Sequence, residues 1–174
     1  MSNIDLLLIA RVLHVVAATV WAGAAILIAG FVMPAIRGAG PAGAAVMRQL
    51  SVVRRVPETL AAIGIVAIAS GAYLYWIASG GLQAAWLHSR SGSAYTLGAA
   101  ASLIAAFVGI CINIPAAKRM GALAETVQKT RVLATAEQTK ILSGLARRIA
   151  RGTSAVAVLL VIATAAMAVA RYLR

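Results

Sequence analysis

Long apolar runs alternate with shorter polar stretches along this chain. Four runs reach the roughly 20 mostly apolar residues that a bilayer crossing takes. They cover about residues 4–33, 59–79, 94–114 and 153–170. Pro34 follows the first, Pro57 precedes the second, Gly80-Gly81 follows the second, and Pro115 follows the third. Proline and glycine punctuate helices, so each run is predicted to be one helix ending at these residues. The first run is too long for the apolar core of a cleaved leader and reads as a retained helix. The predicted fold class is all-α: an integral membrane four-helix bundle, one membrane domain over residues 1–174.

The polar stretches have patterns of their own. Between 115 and 152, Leu123, Val127, Val132, Leu133, Ile141, Leu142 and Leu145 recur at helical spacing. This predicts one or two amphipathic helices that extend the third and fourth runs. In the first loop, Gly38, Gly40, Pro41 and Gly43 predict a turn before an amphipathic piece at 44–53.

Composition sharpens the picture. Of 174 residues, 62% are hydrophobic and 11% charged, against about half and a quarter in soluble domains. That excludes a soluble enzyme and a disordered tail. A lone cysteine, Cys111, excludes a disulfide scaffold. The net charge of +12 would suggest nucleic acid on a soluble protein; here it is a topology signal, and no nucleic-acid partner is expected. Arg37, Arg48, Arg54 and Arg55 lie in the first loop. Lys118, Arg119, Lys129, Arg131, Lys140, Arg147, Arg148 and Arg151 lie in the third, while the second holds only Arg90. Basic loops stay on the cytoplasmic side, which puts both termini and the second loop outside, in a bacterial inner membrane. Basic amphipathic helices rest on anionic membrane lipid.

Small residues recur inside the runs, at Ala22-Gly23-Ala24-Ala25, Gly64, Gly71 and Gly98. They let helix backbones approach closely, in a compact bundle and in a homo-oligomer or larger membrane complex.

Ionisable groups within a membrane are expensive, so each is a candidate site. His14 lies about 15 Å into the first helix at 1.5 Å per residue. Arg11, His14, Ala18 and Trp21 share one helical face. Neutral imidazole binds haem iron or copper. The plain alternative is a histidine hydrogen-bonded to a neighbouring helix. His88 lies in the outside loop and Met167 in the outer half of the fourth run. His14 and His88 form the sharpest metal pair the chain offers, and Met167, otherwise a packing residue, adds a thioether, a soft ligand for copper(I) or haem. Tyr73, Tyr75, Trp76, Tyr95 and Tyr172 read as interfacial anchors. Glu58 is expected to cap the second helix and pair with Arg54 or Arg55, and Asn113 to hydrogen-bond across helices. No Walker loop, dinucleotide fingerprint, HExxH or CxxC is present.

The segment Arg11-Val-Leu-His14-Val-Val-Ala-Ala-Thr-Val-Trp21-Ala-Gly23, with Ser70-Gly71-Ala-Tyr-Leu and Pro115, resembles copper resistance protein D-like membrane proteins. DUF2269-type proteins belong to the same superfamily, as more distantly do the HemJ-type protoporphyrinogen oxidases. The resemblance runs from about Arg11 to Pro115. It implies a four-helix membrane bundle and a haem b ligand at His14. The chain lacks the Tyr-His after the first helix and the Lys in the third that mark the oxidase group.

Three functional readings remain open. One is a membrane protein binding haem b or copper through His14, in electron transfer or metal handling. Another is an accessory subunit of a larger membrane complex with no cofactor. The last is a small transporter, which the scarcity of intramembrane acids disfavours.

Overall fold

A computed structural model of the chain describes residues 3–130 and 135–173. Val132 and Leu133 of the expected amphipathic pattern, with Arg131, lie outside the described residues. Every described element is helical. The order is α1 (Asn3–Leu27), α2 (Met33–Gly38), α3 (Pro41–Arg48), α4 (Val56–Ala78), α5 (Ala84–Leu87), α6 (Arg90–Phe107), α7 (Ile114–Thr130) and α8 (Ala136–Ala170). Wider π-helical turns join α1 to α2 (Ile28–Val32), follow α3 (Gln49–Val53) and join α6 to α7 (Val108–Asn113).

Four continuous helical stretches are long and apolar enough to span a membrane: Ile4–Gly38, Val56–Ala78, Arg90–Val127 and Ala136–Ala170. The four-helix membrane bundle read from the sequence is therefore present, with longer helices than expected. Pro34 does not end the first helix, and Pro115 does not close the third. Each sits in the first turn of a continuing helix, immediately after a π-helical turn. Proline lacks an N–H and its ring collides with the carbonyl four residues back. The preceding residue shifts register instead: Met33 N–H donates to the Ile28 carbonyl, and Ile114 N–H to the Gly109 carbonyl. A widened turn makes room for the ring and the helix runs on.

True breaks occur where the backbone turns left-handed. Gly40 has φ 54° ahead of α3, and Arg55 has φ 50° ahead of α4. After α4, Gly80, Gly81 and Leu82 have φ 60°, 81° and 67° in succession. Leu82 is held there by its N–H, which donates to Ser79 Oγ at 2.9 Å. The expected extensions are real: α7 carries the third helix past Pro115, and α8 begins far ahead of its apolar half. Thr135 and Gln138 close a reciprocal capping box at that start. Thr135 Oγ1 accepts from Gln138 N–H at 3.2 Å, and Gln138 Oε1 accepts from Thr135 N–H at 2.9 Å.

The helices meet along glycine and alanine seams, α1 against α4 and α6 against α8, with α1 also touching α8. Trp21, Ala25, Ala67, Ala105, Val156, Ala157 and Leu160 form the main core. Met33, Ala116, Ala117 and Ile149 form a second core toward the basic end. Large apolar side chains point the other way: Phe31 is 69% exposed and Phe107 62%. Small inside and large outside reverses the order of a water-soluble globule, and suits helices solvated by lipid.

Candidate functional site

The α1–α4 seam is built from two matched spacings. His14 and Trp21 stand two turns apart on α1, as Gly64 and Gly71 do on α4. The helices run in opposite directions, so Trp21 covers Gly64 and His14 covers Gly71. A Cβ at Gly64 would lie 2.9 Å from Trp21 Cε2, and one at Gly71 would lie 2.7 Å from His14 Cε1. Each ring occupies the space that a side chain on α4 would take.

This seating fixes the chemistry of His14. Its Nδ1 lies 2.8 Å from the Ala67 carbonyl oxygen. A carbonyl only accepts, so Nδ1 carries the hydrogen. In the neutral ring the lone pair is then on Nε2, the arrangement usual for metal-binding histidines. The hydrogen bond described for the ring is made at Nδ1. The ring is half-buried. Ser70 Oγ also reaches the Ala67 carbonyl, at 3.1 Å.

The other residues singled out in the sequence lie on several elements. Arg11 is exposed, one turn from His14. Trp21 is 7% exposed and engaged against Gly64. Met167 packs into α6, where a Cβ at Gly98 would lie 2.8 Å from its Cγ. His88 is exposed at the end of α5. Among the described residues, no group of three or more His, Cys, Asp or Glu side chains gathers. Beside His88, Trp86 meets Tyr75 edge-on at 5.2 Å and stacks on Tyr95 at 6.1 Å. Tyr75 Oη and Thr96 Oγ1 are 2.5 Å apart.

At the basic end, Glu58 pairs with Lys118 at 3.8 Å rather than with Arg54 or Arg55. The helix α7, which brings Lys118, is the continuation that Pro115 was expected to end. The second oxygen of Glu58 is buried without a hydrogen-bond partner, as is Asn113 Oδ1. Asn113 does cross to another helix, but it meets only the bare backbone of Gly152, where a Cβ would clash with it.

Sequence reasoning missed the Ala67 carbonyl, Gly71 as a seat for the ring, and Lys118. Only Gly71 left a signal, in the equal spacings of the two helices. Comparison with protein families, curated proteins and solved structures finds no match to this chain.

Proposed function

We propose that this protein is a multi-pass membrane protein that holds haem b through His14 and serves electron transfer. The carrying observation is the Nδ1–Ala67 contact, which leaves Nε2 as the bare nitrogen of the neutral ring. Haem is the better fit of the two groups considered. It brings four nitrogen ligands of its own and needs one from the protein. A copper site would draw two or three donors from the chain, whereas Met167 is engaged at Gly98 and His88 lies in the exposed loop segment. The likeness of the first helix to copper resistance protein D-like proteins supports the same residue.

In this reading Nε2 of His14 would hold the iron, and the Ala67 carbonyl keeps the ring in the required tautomer. Arg11, exposed on the same helical face, offers a positive charge to the carboxylates of the porphyrin. Trp21, wedged on Gly64, fixes the rotation of α1 and so the direction in which His14 faces. The bound group would supply one-electron chemistry between ferric and ferrous iron. The basic loops favour an inner-membrane orientation with the termini outside.

The second reading is an accessory subunit in which His14 only packs, and the close seating over Gly71 favours it. His14→Gln separates the two. Glutamine retains an N–H for the Ala67 carbonyl but is not an iron ligand of the imidazole kind. The haem reading expects the purified protein to show a reduced-minus-oxidised haem b band near one per chain. It expects His14→Gln to lose that band while keeping its helix content. A wild-type protein without the band, or a variant that keeps it, overturns the assignment.

A further inference from the structure

A cleft of about 440 Å³ runs between α8 and the π-helical turn Val108–Asn113. Its walls change character along the helix axis. Arg147, Arg148 and Arg151 line it toward the basic end, while Val108, Ile112 and Ala155 line it toward the apolar half of α8. No carboxylate lines the cleft. The three arginines are exposed and stand just before the apolar run at 153–170. They therefore sit at the level where lipid head groups begin. From Arg147 to Ala155 is about 12 Å along the helix. A guanidinium fork suits a phosphate, and an apolar wall beginning one turn deeper suits an acyl chain.

Asn113 lies against Gly152 and fills the space that a side chain there would take, so α8 and the Val108–Asn113 turn meet closely at the floor of the cleft.

We propose that this cleft holds one anionic phospholipid, its phosphate on Arg147, Arg148 and Arg151 and its first chain segment against Val108, Ile112 and Ala155. The shared chemistry with a free anion is the phosphate, and the apolar wall argues for the lipid.

The test is native mass spectrometry of the detergent-purified, delipidated protein, with phosphatidylglycerol, phosphatidylcholine or inorganic phosphate added. One phosphatidylglycerol should bind per chain in preference to phosphatidylcholine. Replacing the three arginines by glutamine should weaken it roughly a hundredfold, at about one unit of surface attraction per arginine. The charge-matched variant R37Q/R48Q/R54Q, at exposed positions outside the lining of the cleft, should bind as wild type. Ala155→Trp, which fills the apolar wall and keeps every charge, should weaken phosphatidylglycerol. Equal losses in the two triple variants would reduce the effect to overall charge and overturn the site. Equal binding of phosphatidylcholine would overturn the charge recognition. Displacement of the lipid by an equal concentration of inorganic phosphate, with Ala155→Trp silent, would make it an anion site and overturn the lipid.

Discussion

A methyl group at Gly71 would stand 2.7 Å from Cε1 and 2.9 Å from Nδ1 of His14. The ring must move to admit it, and the Nδ1–Ala67 bond goes with it. Gly71→Ala is therefore expected to destabilise by about 1–3 kcal/mol, as overpacking does, and, under the proposed haem reading, to lower haem content in parallel with His14→Gln. Gly23→Ala and Gly30→Ala are the controls, because nothing lies within 4 Å of a Cβ at either; thermal melts should leave both near wild type. If Gly71→Ala melts with them, the ring is not seated as described. His14 was legible from the sequence because an imidazole within an apolar run is rare. Its partner was not, since a backbone carbonyl has no side-chain signature. Whether Met167 and His88 keep His14 company depends on which helices become neighbours, and that has no signature in the sequence.

Left-handed backbone precedes α3 and flanks α4, Thr135 caps α8, and Pro34 and Pro115 are absorbed into continuing helices. Thr135→Ala removes one half of the capping box on α8 and should cost about 1 kcal/mol. Amide exchange is the direct measurement: residues 136–139 should exchange faster while 153–170 stay protected. Uniform exchange along α8 would show that the cap holds nothing. Lys118→Ala should cost under about 1 kcal/mol, since Lys118 is 67% exposed and such pairs are weak. The four helices were legible because a bilayer demands long apolar runs whatever the topology. Their ends were misread at Pro34 and Pro115, where the rule that proline stops a helix yields to a register shift of one residue. That shift is a property of the backbone and leaves no mark in the pattern of polar and apolar positions. At Gly80-Gly81 the punctuation rule did hold, because those glycines adopt the left-handed backbone that a helix cannot.

For the molecule as a whole, orientation is the property most open to direct test. In a Cys111→Ser background, a membrane-impermeant maleimide should label Ser93→Cys in intact cells. Ser143→Cys should label only after lysis, and the reverse pattern would invert the topology. The first half of α8, residues 136–152, precedes the apolar half by about 25 Å at 1.5 Å per residue, and α7 continues past Pro115 on a neighbouring helix. With residues 153–170 in the bilayer, the basic end would stand off it, with charge spread along its height. Electrostatic attraction to a lipid surface decays over about 8 Å at physiological ionic strength. Arg147, Arg148 and Arg151 lie within roughly that distance of the apolar run, whereas Lys140 is about 20 Å from it. The basic residues of α8 therefore divide into two tiers. The lower tier feels the membrane, and the upper tier is invisible to it, free to address anionic molecules arriving from the aqueous side.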